Sequence, residues 1–80
     1  MKTREQLGGT LRRMYDSAPT GEKVANIHLF AIKYAADIRD AGLTAGDVVK
    51  AAGIQASYGA EVSKGINLAK YVVPKPQYAE

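Results

Sequence analysis

Prolines stand only at positions 19, 74 and 76, which leaves residues 20–73 free of the strongest helix breaker. Within that stretch β-branched residues are scattered, strict apolar–polar alternation is absent, and alanine is abundant. Such a pattern reads as all-α. At 80 residues the chain is long enough for one small core and too short for a second. Apolar residues at 46% and charged residues at 24% give the balance of a folded domain rather than of a disordered segment.

Four helices are predicted, over about 3–17, 21–41, 44–52 and 56–72, with one domain spanning 1–73 and a proline-containing flexible tail at 74–80. Thr3 followed by Gln6 is a capping-box signature, and Leu7, Leu11, Met14 and Tyr15 then recur at helical spacing. Gly8-Gly9 weakens this first helix by about 1 kcal/mol per glycine relative to alanine, so it must lean on the rest of the fold. The second helix is expected to start after Thr20 and to end at Gly42. It carries two apolar stripes, one through Val24, Ile27, Ala31, Tyr34, Ala35 and Ile38, the other through Ala25, Leu29, Ile32 and Ala36, with Phe30 beside them. A helix apolar around most of its circumference is central in the fold or shared between subunits. Thr44 with Asp47 caps a short third helix, which Gly53 closes. Val62, Ile66, Ala69 and Val73 then form the apolar stripe of a fourth.

Several function classes lose their basis early. Without cysteine there is neither a disulfide framework nor a thiolate zinc site, and the single histidine, His28, cannot form a two-imidazole metal site. No apolar run approaches the roughly 20 residues of a membrane span, and the N-terminus lacks a signal-like apolar stretch, so a cytoplasmic protein is expected. Gly8-Gly9 has no preceding strand and no lysine–serine continuation, which excludes a phosphate loop. Asp37 and Asp40, beside Lys33 and Arg39, read as a solvated helix face, and His28 as a hydrogen-bonded structural residue. Tyr15, Tyr34, Tyr58 and Tyr71 read as core or rim aromatics anchored at one end by their hydroxyls. No catalytic grouping, cofactor site or metal site is expected. Eleven basic residues against eight acidic ones give a net charge of +3, compatible with a polyanionic partner without demanding one. No block of one sign occurs, since residues 1–43 hold seven basic and five acidic side chains and residues 44–80 four and three.

The informative stretch runs from Leu43 to Gly65. A short capped helix ends at a glycine, a few residues connect, and an amphipathic helix follows at once, which is the layout of a helix-turn-helix. Val48, Ala52, Ile54 and Val62 would pack the inner corner, while Gln55, Ser57, Ala60, Glu61 and Lys64 would face outward. Leu43-Thr44, Val48, Ala52-Gly53-Ile54, Ser57-Tyr58 and Val62-Ser63-Lys64-Gly65 together resemble the helix-turn-helix of lambda-repressor-like DNA-binding domains. The family usually has alanine where Val49 stands and valine or isoleucine where Gly59 stands, which suggests a volume-conserving exchange across one contact. It also places helices after the motif, whereas here two precede it, so one long support helix plus the motif fits better than the full repressor fold.

The resemblance implies that the last helix is a recognition helix whose opening turn enters the major groove of DNA. Gln55, Ser57 and Glu61 are then candidates for base edges, Ala60 lies on the same face, and Lys50, Lys64 and Lys70 are candidates for phosphates. Arg12 and Arg13, an adjacent basic pair, would add a backbone contact from outside the motif. From Thr44 to Lys70 three lysines face Asp47 and Glu61, a net of +1. So small a charge favours a homodimer, expected through helices 1 and 2, acting as a small transcriptional or phage- or plasmid-type regulator. The alternative is a helix-turn-helix-like adaptor that binds a protein and no DNA.

Overall fold

The computed structural model describes residues 2–78 as an all-helical fold of four α-helices: α1 (Arg4–Asp16), α2 (Lys23–Asp40), α3 (Ala45–Ala52) and α4 (Gly59–Leu68). Single 3-10 turns lie at Ala56–Tyr58 and Pro76–Tyr78. Among the described residues no helix is long and apolar enough to cross a membrane.

Two helix starts obey local rules. Thr3 accepts from the Gln6 backbone N–H at 3.1 Å, and the Gln6 side chain accepts from Thr3 N–H at 2.9 Å. Thr44 and Asp47 repeat this reciprocal box at 3.1 and 2.8 Å. Two helix ends also share one device. Gly42 and Gly53 sit at φ +71° and +72°, the left-handed region that glycine occupies without a steric penalty. At α2, Gly42 N–H reaches Arg39 C=O and Leu43 N–H reaches Ile38 C=O. At α3, Gly53 N–H reaches Lys50 C=O and Ile54 N–H reaches Val49 C=O. Both pairs are Schellman caps, each followed by an apolar residue that folds back toward the helix.

The other boundaries differ from expectation. Helix α2 begins at Lys23 with Glu22 in the cap position and no side-chain cap, so Thr20 does not start it. Instead a turn closes from Glu22 N–H to Pro19 C=O at 2.9 Å, with Gly21 at φ +83° in its third position. The fourth helix is shorter than 56–72 at both ends. It opens with a 3-10 turn, and beyond Leu68 the chain unwinds through i→i+3 bonds such as Tyr71 N–H to Leu68 C=O. Pro74 bars Val73 from helical geometry, and Val73 stands 86% exposed instead of extending the apolar stripe. Helix α2 also breaks its regularity at Tyr34, whose φ is −112° and ψ 16°.

The core draws on every helix: Leu7 and Leu11 from α1, Ile27, Phe30, Ala31 and Ile38 from α2, Val48, Val49 and Ala52 from α3, and Val62 from α4. Helix α1 packs chiefly on α3, and α2 on α4. Glycine sets both approaches. A Cβ on Gly8 would lie 2.6 Å from Ala51 Cβ and 2.7 Å from Ala51's carbonyl carbon. A Cβ on Gly65 would overlap Ala31 Cβ and come within 2.9 Å of the His28 carbonyl oxygen. Each half of the helix-turn-helix thus meets its own support helix across a bare glycine backbone, α3 at Gly8 of α1 and α4 at its own Gly65.

The second stripe of α2 is partly covered. Ala25 and Leu29 line a groove together with Met14 of α1 and with Gln77 and Tyr78 at the end of the described chain. Ala25 and Ala36 on this stripe are exposed, and Leu29 and Ile32 are half-buried. Within the segment expected to be a flexible tail, Pro76–Tyr78 forms a 3-10 turn, while residues 79–80 lie outside the described ones.

Candidate nucleic-acid interface

The motif is bent at Gly53, after which Ile54 turns inward to the core and Gln55 adopts extended backbone at φ −60°, ψ 139°. The 3-10 turn then feeds directly into α4. Gln55, Ala56, Ser57 and Ala60 are exposed, whereas Tyr58 is half-buried and Val62 fully buried. The opening turn is therefore presented outward and held from behind.

Tyr58 supplies much of that hold. Its ring meets Tyr15 of α1 edge to face, with centroids 5.4 Å apart and planes at 62°. The two hydroxyls are hydrogen-bonded at 3.4 Å. Lys23 donates to the Tyr15 carbonyl at 2.9 Å, and its ammonium lies 4.4 Å from the Tyr15 ring centroid. The hydrogen bond with Tyr15 pushes the Tyr58 phenol above its ordinary value of 10.0.

Two candidate contacts are occupied inside the protomer. The Arg12 guanidinium donates to the Ala52 and Gly53 carbonyls at 3.4 and 3.2 Å and to Asp16 at 2.9 Å. A cation over the last carbonyls of α3 complements the helix dipole there. Arg12 thus braces the motif's turn and does not extend from the motif as a free charge. Glu61 accepts from His28 at 2.8 Å and from Lys64 at 3.3 Å, with its side chain only 23% exposed. It is turned toward α2, not toward a base edge. The hydrogen bond from His28, and then that from Lys64, hold its carboxyl below the ordinary value of 4.5.

The remaining candidates divide by position. Lys50 is exposed on α3, and Lys64 is exposed on α4 but matched by Glu61. Lys70 stands past the last residue of α4, where it lines a groove with Arg39 of α2, away from the opening turn. Arg13 is exposed on α1 and donates to Thr10 Oγ1 at 3.1 Å. Gly59 does not exchange volume with Val49: the nearest heavy atom to a Cβ built there is Gly46 Cα at 3.9 Å, and no Val49 atom comes within 4 Å. Instead, the corner between α3 and α4 brings two glycines together.

Sequence reasoning missed the positioning roles of Tyr15, Lys23 and His28. Their partners lie far along the chain or on another helix, and no local spacing signals them. Two of them carried a hint: His28, as a polar residue beside an apolar stripe expected to be hydrogen-bonded, and Tyr15, as an aromatic expected to be anchored by its hydroxyl.

Comparison with known proteins matches the family model described as an HTH-like domain over residues 3–75. No curated protein and no solved structure gives a match. The match takes in α1 and α2 as well as the motif, so the family unit is the whole four-helix arrangement and not the 43–65 segment that resembled lambda-repressor-like domains. It supports a helix-turn-helix kinship without singling out the lambda-repressor type. With nearly all of its described residues inside that match, and with two helices meeting at the Gly53 bend, this chain belongs to the family of HTH-like domains.

Proposed function

We propose that this domain is a small DNA-binding regulator, of transcriptional or phage- or plasmid type, which sets the opening turn of α4 into the major groove. The observation that carries this reading is the presentation of that turn: Gln55, Ser57 and Ala60 are exposed while Tyr58 and Val62 fix the backbone beneath them. In this reading Gln55 pairs with an adenine edge, Ser57 donates or accepts at a neighbouring base, and Ala60 meets a thymine methyl. Lys50 and Lys64 face phosphates, with Arg13 and Lys70 as outlying contacts. Glu61 and Arg12 serve as braces. So few cations per copy give weak binding, and two copies on adjacent half-sites are part of the same proposal.

The test is a mobility-shift assay on a random duplex pool. At about 50 mM salt a complex is expected, and it should dissolve as salt rises. Lys64→Glu should weaken it on all sequences, while Gln55→Ala should change sequence preference more than affinity. Absence of any shift at low salt would overturn the proposal. Sedimentation across a concentration series checks the pairing of copies.

One observation favours a second reading. Glu61 compensates Lys64, so among the described residues α4 presents no unmatched cation along its helical span. A neutral face of alanine, serine and asparagine suits a protein-binding adaptor as well. The same assay separates the two, since the adaptor gives no shift.

A further inference from the structure

Away from the opening turn, where α2 ends beside the last turn of α4, a groove runs between the two helices. Its floor is apolar, formed by Ala35, Ile38, Leu43, Ile66 and Ala69. Leu43, Ile66 and Ala69 remain half-buried, so the floor is open to a visitor. Arg39 and Lys70 stand on its rim, both exposed. Among the described residues neither side chain has a carboxylate within 4.0 Å or a hydrogen-bond partner. No acidic side chain lines the groove, and Asn67 adds one amide to its edge.

The other open surfaces lack this combination. The groove beside Tyr78 places Glu22 among its lysines. The patch of His28, Leu68 and Tyr71 has Lys64 as its one lysine or arginine, and that lysine is matched by Glu61. Of these grooves among the described residues, the one between α2 and α4 alone combines two unmatched cations and an apolar floor with no carboxylate in its lining.

We propose that this groove docks a short acidic, amphipathic segment of a partner protein. Its apolar side chains would rest on Leu43, Ile66 and Ala69, and its carboxylates would meet Arg39 and Lys70. Charge complementarity selects the partner: Arg offers a planar fork for a carboxylate, and Lys a mobile ammonium. The apolar floor argues against a phosphate backbone, which leaves such surface uncovered. The proposal does not depend on DNA binding: the groove and the opening turn use different residues, and Lys70, an outlying phosphate candidate, is the one position the two readings share.

The experiment titrates the full, isotope-labelled chain with a synthetic peptide carrying Leu and Phe on one helical face and Asp and Glu on the other. Amide resonances of Leu43, Ile66, Ala69 and Lys70 are expected to shift, and the binding to weaken with added salt. Arg39→Gln combined with Lys70→Gln should reduce affinity by roughly tenfold or more while leaving the helical spectrum unchanged. The same peptide with lysine in place of its acids should not bind. No shift up to about 1 mM peptide would overturn the proposal. So would equal binding of the basic peptide, shifts confined to the opening turn, or the same resonances moving with duplex DNA instead.

Discussion

The two halves of the motif are supported in the same way but to different degrees. Helix α3 leans on α1 through Gly8 and Ala51, and α4 leans on α2 through Gly65, Ala31 and His28. At the first junction the neighbour is a single residue on an eight-residue helix. At both, the added atom would meet a side chain and a backbone carbonyl, but at the second these belong to two residues, Ala31 and His28, on an 18-residue helix whose buried face is held by the core along much of its length. A short helix can shift by a few tenths of an ångström; a long, packed one cannot without disturbing the core. The orientation of α4 is thus expected to be fixed more firmly than that of α3, and α4 is the helix that presents the opening turn.

The sharpest way to break this contrast is to fill both glycines. Gly65→Ala should destabilise by about 2–3 kcal/mol, because overpacking outweighs the gain in helix propensity. That corresponds to a fall in Tm of about 10 °C or more for a domain of this size. Gly8→Ala should cost less, about 1–2 kcal/mol. Equal losses in thermal or denaturant melts would show that α3 is held as rigidly as α4.

The next effect is specific to the α3 side. Arg12→Met keeps the aliphatic stem but removes the donors to the Ala52 and Gly53 carbonyls. A loss of about 1 kcal/mol is expected, modest because the side chain is half exposed. Amide exchange should rise at Gly53 and Ile54 and stay unchanged along α4. Faster exchange in α4 as well would mean that the two halves open together.

What could be read in the sequence follows the range of the interactions. The boxes at Thr3–Gln6 and Thr44–Asp47, and the closures at Gly42 and Gly53, are built by residues three to five apart, and each was legible. The bend that defines the motif was among them. Thr20 misled because Gly21 closes a turn that delays α2, a competition between two local devices. The site was harder. Gln55, Ser57 and Ala60 were placed outward by periodicity alone, and they are exposed. Glu61 and Arg12 share that polar character, but their partners lie 33 and 40 residues away on other helices. Nothing in a spacing of three or four announces such a pairing. The glycines taught the same lesson: Gly8 looked like a weakness of α1, and only the neighbouring Ala51 shows why the position has no side chain.

A smaller effect, of opposite sign, sharpens the comparison at the corner. Gly59 is helical at φ −56°, ψ −38°, and a Cβ there meets only Gly46 Cα at 3.9 Å, an ordinary contact. Gly59→Ala should therefore stabilise by about 0.5–1 kcal/mol through helix propensity and a less flexible unfolded chain. A loss of stability would show that the corner between α3 and α4 is as tight as the two support junctions.

The smallest effect expected is a pH dependence that distinguishes the two halves by their carboxylates. Asp47 is held below its ordinary 3.8 by the Thr44 backbone and side chain, a contact within α3's own cap. Glu61 is held below its ordinary 4.5 by His28 and then Lys64, the first of which bridges α4 to α2. For each, the unfolded chain binds more protons than the folded one in the window just below the ordinary value. Stability therefore rises with pH through that window. Both contributions are complete above it and fade as pH falls through the lower folded values. Because its window opens first on acidification, Glu61→Gln should flatten the fall of Tm from about pH 4.5 downward, with Asp47→Asn acting further down the same limb. The readout that ties Glu61 to the α2–α4 junction is a double variant with His28→Gln. If the histidine bridge lowers the carboxyl, removing His28 should leave little for Glu61→Gln to flatten. An undiminished effect in the double variant would assign the shift to Lys64 alone and leave the α2–α4 junction resting on its glycine.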